Sequence, residues 1–337
     1  QDALVGKADT LAGMGNFEDA VEIYDTLINN SSQPDARFYA YRAYALNAMG
    51  KYEEGLSSAE KALEIDPDNS VAWNNKGSAL NALGRRTEAL AAYNETVRIN
   101  PKNPVAWSNK GYVLAQLGYM DDALASYDKA LELDSNLSST WGYKASALVL
   151  LKRYDEAVLA ADNELRLNPT NMQALVTKGD ALSGLKQYVQ AATAYRAALK
   201  LNPSSPTTWF SLGYALHKTK DYEGAVNAYK KALEISPEYS TAWMYEVSAL
   251  ISLGRGNEAV HYYDRMISDN PNNTVALMNK GYALHLMKQY DEAIRLFDKV
   301  LAIEPDNTAA LLNKGYEQIA VGNYLGSIES YDHVLAL

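Results

Sequence analysis

The sequence predicts an all-α fold, an α-α superhelix in which pairs of amphipathic helices stack in tandem. Three observations predict this fold: tryptophan and proline recur at a fixed period, apolar residues have helical spacing, and helix-ending residues lie between the helices. The tryptophans recur at a spacing of 34 residues or twice that, at Trp73, Trp107, Trp141, Trp209 and Trp243. Prolines recur with the same period, at Pro67, Pro101, Pro169, Pro203, Pro237, Pro271 and Pro305.

This period divides residues 1–337 into ten repeats that form a single array. The predicted repeats begin at residues 1, 36, 70, 104, 138, 172, 206, 240, 274 and 308, and the last one is truncated. In the third repeat, Trp73, Gly77 and Leu80 lie on one face of a first helix, which Gly84 ends. A second helix follows and ends before Pro101. One such pair cannot bury its apolar faces alone, so the repeats must stack on one another.

The pattern W-x3-G-x2-L, A-x3-Y and P resembles the tetratricopeptide repeat family over the whole chain. One copy consists of Trp209, Gly213, Leu216, Ala225, Tyr229 and Pro237. The resemblance implies a right-handed solenoid whose first helices line a concave groove. The eighth repeat departs from the pattern, since Val247 replaces the glycine and Gly256 replaces a tyrosine.

Charges at the seventh and twenty-fifth positions of the repeats predict ion pairs. Pairing within a repeat would place Lys178 beside Arg196 and Glu246 beside Asp264, which are like charges. Pairing between consecutive repeats has no like-charge contact, because Lys230 then faces Glu246. The predicted pairs are Asp25–Arg42, Glu60–Lys76, Asp128–Lys144, Asp162–Lys178, Lys230–Glu246, Asp264–Lys280 and Asp298–Lys314. The alternative is that the lysine side chains extend into water without a fixed partner.

The sixth position of the repeats supplies candidate groove residues. Its asparagines are Asn75, Asn109, Asn279 and Asn313. An amide side chain offers a donor and an acceptor, so spaced asparagines can bind an extended peptide backbone. The row is similar to the asparagine ladder in the tetratricopeptide arm of O-linked N-acetylglucosamine transferases, but other residues interrupt it in four central repeats. In the alternative interpretation, these asparagines bond neighbouring helices.

Two further positions predict an apolar groove. The ninth position carries Tyr112, Tyr214, Tyr282 and Tyr316. The fifth position carries Val176, Phe210, Met244, Met278 and Leu312. Aromatic and methionine side chains suit apolar side chains of a partner, although packing between first helices would also account for them. For Phe210, Met244 and Met278 we favour binding, because the fifth position points furthest from the second helix.

Composition and motifs exclude several function classes. The net charge is −10, with 31 basic and 41 acidic residues, which disfavours nucleic acid or an anionic membrane surface as a partner. No run approaches 18 apolar residues, so no membrane insertion is predicted. The chain has no cysteine, and its four histidines are too dispersed to share a metal ion. No catalytic motif is present, so we expect no cofactor and no enzymatic activity.

These observations favour a non-catalytic scaffold that binds a peptide or a helix of a partner protein in its groove. One alternative is the recognition arm of a larger enzyme, such as a glycosyltransferase. Another is a self-associating module, because the last repeat ends in Val334-Leu335-Ala336-Leu337 without a polar capping helix. The compartment stays open, with the cytoplasm as the default.

Overall fold

The computed structural model describes the backbone of residues 2–33 and 35–337, and the side chains of the same residues apart from Asp2. Over these residues it contains twenty α-helices and no strand, which confirms the all-α repeat fold. The helices are α1 (Asp2–Gly13), α2 (Phe17–Asn29), α3 (Ala36–Ala48), α4 (Tyr52–Ile65), α5 (Ser70–Ala82), α6 (Arg86–Ile99), α7 (Pro104–Gln116), α8 (Met120–Leu133), α9 (Ser138–Leu150), α10 (Tyr154–Leu167), α11 (Met172–Gly184), α12 (Tyr188–Leu201), α13 (Pro206–Lys218), α14 (Tyr222–Ile235), α15 (Ser240–Ser252), α16 (Gly256–Asp269), α17 (Thr274–Leu286), α18 (Tyr290–Ile303), α19 (Thr308–Ala320) and α20 (Tyr324–Ala336).

The helices group into two compact units, unit 1 (residues 1–177) and unit 2 (residues 178–337), and each is described by itself. From α3 onward, every odd-numbered helix begins at the first residue of a repeat in the 34-residue pattern. Asparagine caps fix several of these starts; the side chain of Asn69, for example, accepts a hydrogen bond from the backbone N–H of Ala72. That all ten repeats form one continuous domain stays a prediction.

The turn between the two helices of a repeat requires a left-handed backbone conformation. Gly84 has φ of 78° at this position and Gly254 has φ of 73°. Glycine adopts this conformation without steric cost, which explains its recurrence in the sequence. Lys152 and Lys220 occupy the same position in other repeats, with φ of 59° and 65°.

Close contact between the two helices of a repeat depends on a glycine in the first and an aromatic ring in the second. In unit 2, a Cβ atom added to Gly213 would lie 2.5 Å from Cε1 of Tyr229. In unit 1, a Cβ added to Gly111 would lie 2.7 Å from the ring of Tyr127. Both tyrosines are buried. The glycine is therefore needed for the approach of the ring.

We expect Gly213→Ala to lower the free energy of unfolding by about 1–3 kcal/mol, because the Tyr229 ring must move to admit the methyl group. Urea unfolding followed by circular dichroism measures the effect. Gly6→Ala is the matched control: a Cβ there has no neighbour within 4 Å, and alanine in a helix should stabilise by about 0.5–1 kcal/mol. Equal effects of the two substitutions would contradict the proposed contact.

Tryptophan and the residue six positions before it also form a recurring contact. The indole Nε1 of Trp209 donates a hydrogen bond to the carbonyl oxygen of Pro203 at 2.8 Å. Trp141 makes the same bond to Ser135, at 2.9 Å. Because the acceptor is a backbone carbonyl, the bond persists where proline is replaced. This contact fixes the start of the first helix against the end of the preceding second helix.

Ion pairs connect the second helix of one repeat to the first helix of the next within each unit. The shortest N–O distances are 2.6 Å for Arg42–Asp25, 3.0 Å for Lys76–Glu60, 2.5 Å for Lys144–Asp128, 2.6 Å for Lys280–Asp264 and 2.8 Å for Lys314–Asp298. The register is that of the pairing between consecutive repeats. The partners are partly exposed, so each pair contributes about 0–1 kcal/mol. The predicted Asp162–Lys178 pair spans the two units and stays a prediction.

The predicted Lys230–Glu246 pair does not form. Glu246 is buried, with 5% of its surface exposed, whereas Lys230 is exposed. No ion pair within 4.0 Å joins these two described side chains, although the Lys230 charge acts to lower the pKa of Glu246. Closing the gap would require burial of the Lys230 ammonium, which carries a large desolvation penalty.

Candidate peptide-binding surface

The fifth, sixth, ninth and twelfth residues of the first helices form a surface that we call the first-helix face. In unit 2 its centre is an aromatic cluster. The half-buried Phe210 ring lies 5.8 Å from that of Tyr229 and 5.4 Å from that of Tyr245, between centroids. The rings of Tyr214 and Tyr245 meet edge to face at 5.6 Å. Phe210 is therefore part of a packed cluster and is only partly available to a partner.

Exposed apolar residues lie on the same face. Met244 is 40% exposed and Leu312 is 45% exposed. Tyr316 is exposed as well, whereas Tyr282 is half-buried. Met278 is half-buried, because it packs against the core formed by α17, α18 and α19. Met244 and Leu312 are thus the fifth-position residues of unit 2 that offer the most apolar surface.

The aromatic cluster contains two buried polar atoms without a hydrogen-bond partner, Tyr229 Oη and His217 Nδ1. The tyrosine at the corresponding position of the sixth repeat differs, since Tyr195 Oη donates to Asp180 Oδ1 at 2.7 Å. Tyr214 replaces that aspartate in the seventh repeat and supplies no such acceptor. Burial, with a smaller contribution from a neighbouring lysine, lowers the pKa of His217, so its imidazole is neutral at pH 7.

The asparagines of unit 1 bond neighbouring helices. Asn75 is 4% exposed, and its Nδ2 donates to the carbonyl oxygen of Ala40 at 2.8 Å. Asn109 Nδ2 donates to Asn74 Oδ1 at 3.3 Å. This arrangement is the alternative that the sequence left open, and it removes Asn75 from the surface available to a peptide. Hydrogen bonding across consecutive first helices satisfies the amide without a ligand.

The remaining candidates are distributed over both units. In unit 1, Val176 and Tyr112 are half-buried, and the Tyr112 ring lies 4.8 Å from that of Tyr143. In unit 2, Asn279 is buried and its Nδ2 has no partner, whereas Asn313 is half-buried. Asn313 therefore stays a candidate for polar contacts to a peptide, whereas Nδ2 of Asn279 is not accessible to one.

Sequence reasoning missed a buried acid beside a histidine of this face. Glu317 is buried at the tenth position of its repeat, and its Oε1 lies 2.7 Å from Nδ1 of His285. Burial raises the pKa of the Glu317 carboxyl, and His285 opposes that shift. The tenth position carries alanine or valine in the second to ninth repeats, as at Ala249 and Ala283, so a glutamate there was a visible signal.

No cluster of three or more metal-ligating side chains is present in the described part of the chain. Within the same residues, no helix combines the length and hydropathy needed to cross a bilayer.

Three family models match the chain. One described as tetratricopeptide repeat matches residues 5–70, 42–104 and 74–138, and another of that description matches residues 173–205. The third, described as the TPR domain of cytochrome c-type biogenesis protein H, matches residues 190–311. Together the matches extend over residues 5–138 and 173–311, well over half of the chain.

Curated relatives are similar over shorter segments. The SGT1 homolog of Oryza sativa subsp. japonica is 40% identical over 63 residues, which are 19% of this chain and 17% of that protein. The Hsp70-Hsp90 organizing protein of Triticum aestivum is 31% identical over 72 residues, which are 21% of this chain and 12% of that protein. The matched segments thus span less than a fifth of either relative.

Solved structures show the same fold. YrrB, described as a TPR protein with an unusual peptide-binding site, has a TM-score of 0.51 at 20% identity, over 55% of this chain and 95% of that one. A tetratricopeptide repeat protein from Parabacteroides merdae has a TM-score of 0.51 at 15% identity, over 74% of this chain and 98% of that one. At these identities the likeness concerns the fold alone.

Proposed function

Because the chain belongs to the tetratricopeptide repeat family, whose members are protein-interaction scaffolds and generally non-catalytic, we propose that it binds a peptide or helical segment of a partner on the first-helix face of unit 2. The segment presents apolar side chains to Met244 and to the exposed side of the Phe210 ring. The observation that carries this proposal is the aromatic cluster, together with the exposed apolar surface of Met244 on the same face.

The chemistry of the cluster suits this ligand class. Aromatic rings and a flexible methionine adapt to apolar side chains of differing shape. Tyr229 Oη and His217 Nδ1 are buried without a partner, so the contacts to a peptide come from the exposed apolar atoms of the surface. The surface therefore supports recognition of apolar side chains.

We expect Met244→Glu to weaken binding of an apolar peptide at least tenfold, because a carboxylate would replace exposed apolar surface at the contact. The probes are peptides selected on the wild-type chain from a random twelve-residue display library, and fluorescence polarisation measures their affinity. Leu312→Glu tests the other end of the surface.

Val189→Glu is the matched control, because Val189 is 70% exposed on the second helix α12. It should leave the affinity unchanged. Selected peptides without apolar enrichment, or peptides that bind Met244→Glu as tightly as the wild type, would contradict the proposal.

A second candidate function is self-association through α20. Leu325 and Leu335 are more than three-quarters exposed on this helix, and Ile328 is exposed beside them. Apolar surface of this kind suits a second copy of the chain. Light scattering at two concentrations tests the idea: a concentration-dependent mass that Leu325→Glu abolishes would support it, and a monomer at both concentrations would exclude it.

A further inference from the structure

A cavity of about 470 Å³ lies between α14, α15 and α16 of unit 2, away from the first-helix face. Its lining includes Lys230, Trp243, Glu246, Val247, Tyr262 and Tyr263. Trp243, Glu246 and Tyr263 are buried, whereas Tyr262 and Lys230 are exposed, so the cavity opens to solvent at their side.

The cavity follows from the departure of the eighth repeat from the glycine pattern. In the seventh repeat, the ring of Tyr229 packs so closely on Gly213 that a Cβ would lie 2.5 Å away. Val247 occupies the glycine position of the eighth repeat and carries a Cβ and two methyl groups. The Tyr263 ring therefore cannot pack on α15 in the same way, and α15 and α16 do not close on each other as the helices of the seventh repeat do.

The buried carboxylate of Glu246 faces this cavity without a partner. It is 5% exposed and forms no hydrogen bond or ion pair with a described residue. Burial raises the pKa of Glu246 to about 7, and the Lys230 charge opposes the shift. The other acids of the lining have cations of their own, since Glu234 pairs with Lys231 and Glu258 pairs with Arg255. A buried acid without a partner is unfavourable, so a cation in the cavity would relieve it.

Lysines of other repeats contact the tryptophan that corresponds to Trp243. In the fifth repeat, Lys144 Nζ lies 5.5 Å from the centroid of the Trp141 ring and 2.5 Å from Asp128 Oδ1. Lys76 lies over Trp73 in the same manner, at 5.4 Å. An internal lysine thus contacts an aromatic face and a carboxylate at once.

In the eighth repeat the charges are exchanged, since Glu246 occupies the seventh position, where those repeats carry the lysine, and Lys230 occupies the position of Asp128. The Trp243 ring lies 4.7 Å from that of Tyr262 and 5.6 Å from that of Tyr263. The Trp243 indole is held in place, because its Nε1 donates to the carbonyl oxygen of Pro237 at 2.9 Å. Among the described side chains, no ammonium lies over the Trp243 ring.

We propose that this cavity binds an alkylammonium group supplied from outside the chain, which contacts the rings of Trp243, Tyr262 and Tyr263 and pairs with Glu246. A free amine and a lysine side chain of another protein share this chemistry. The site is independent of the peptide proposed for the first-helix face.

Isothermal titration calorimetry tests the proposal. The full chain is titrated with butylammonium, and with butanol as the neutral probe. Saturable binding of butylammonium at pH 8 is expected, at least tenfold tighter than that of butanol. Glu246→Gln should weaken it at least tenfold, because the substitution keeps the shape of the side chain and removes its charge. Lys230→Met should tighten it, because Lys230 is the cation at the cavity edge. Glu329→Gln, which removes an exposed charge of unit 2, is the control and should have no effect.

Three results would overturn the proposal: no saturable binding of butylammonium, equal affinity for butanol, or equal affinity in wild type and Glu246→Gln. Circular dichroism establishes that each variant is folded. The affinity for a Gly/Ser hexapeptide that contains one lysine distinguishes the two sources of the ammonium group. Tighter binding of the peptide than of butylammonium identifies a protein side chain as the ligand, and weaker binding identifies a free amine.

Discussion

Replacement of Tyr229 by alanine is expected to lower the free energy of unfolding by about 3–5 kcal/mol. Its side chain is completely buried. The ring fills the space above Gly213 and contacts Phe210, so its removal leaves a cavity between α13 and α14 that the backbone cannot close. Urea unfolding gives the total effect. Hydrogen exchange measured for each repeat separately should show the loss of protection in α13 and α14, because stacked repeats interact mainly with their neighbours.

The hydroxyl group of Tyr229 should contribute nothing to this stability. Tyr229 Oη is buried without a partner, and a buried unsatisfied group costs about 1–3 kcal/mol. Phe297 occupies the same position in the ninth repeat and packs on Gly281. Tyr229→Phe should therefore leave the stability unchanged or raise it. A large loss in Tyr229→Phe would show that the hydroxyl has an intramolecular partner.

Tyr195→Phe provides the matched comparison. Tyr195 Oη donates to Asp180, whose pKa is raised by burial, so its loss leaves a partly buried carboxyl without a partner. We expect a destabilisation of about 1–2 kcal/mol, opposite in sign to the effect of Tyr229→Phe.

The repeat pattern made the fold predictable, because each recurring residue meets a local requirement. Gly213 admits the Tyr229 ring, and Trp209 bonds a fixed backbone carbonyl. Charge at the seventh and twenty-fifth positions was equally informative where both residues are partly exposed, as at Lys144 and Asp128. These requirements act over one or two repeats, so a single sequence contains them.

The candidate site was less predictable, because exposure depends on the shape of neighbouring helices. Asn75 and Asn313 share a repeat position, yet Asn75 is buried against α3 and Asn313 is half-buried. The opposite charges of Lys230 and Glu246 suggested an ion pair, but they contained no information about how deeply each side chain is buried. Val247 was visible in the sequence as a departure from glycine, whereas the cavity beside it depends on how far two helices separate.

Stability should depend on pH through Glu246. Burial raises its pKa to about 7 in the folded chain from the ordinary value of 4.5, with the Lys230 charge acting in the opposite direction. The folded state therefore holds this proton more tightly than the unfolded state does. The contribution of this bound proton to the free energy of unfolding is complete below about pH 4.5, decreases as the pH rises, and is lost above about pH 7. The difference between the folded and unfolded pKa values corresponds to about 3 kcal/mol in the free energy of unfolding.

Glu246→Gln should remove this dependence. The amide cannot ionise, so the free energy of unfolding of the variant should exceed that of the wild type at pH 8 and approach it at pH 4.5. Urea titrations at half-unit pH steps measure the difference. Glu329→Gln, an exposed site, should follow the wild type. Parallel pH profiles for wild type and Glu246→Gln would contradict the assignment.

Glu164 supplies a second test in unit 1, because burial also raises its pKa to about 7. Asn171 Nδ2 donates to Glu164 Oε1 at 2.6 Å. Glu164→Gln should remove a pH dependence of similar size to that removed by Glu246→Gln, because both pKa values are raised from 4.5 to about 7. Carboxyls with lowered pKa, such as those of Glu88 and Glu156, change the free energy of unfolding below pH 4.5 and do not affect the comparison at higher pH.

An ammonium ligand should suppress the same pH dependence, which connects the stability of Glu246 with the proposed cavity site. A cation paired with the carboxylate favours its charged form and lowers its pKa toward the ordinary value. Saturating butylammonium should therefore raise the free energy of unfolding more at pH 8 than at pH 5 in the wild type. In Glu246→Gln the small remaining effect should be equal at both pH values, because no proton is exchanged when the amine binds.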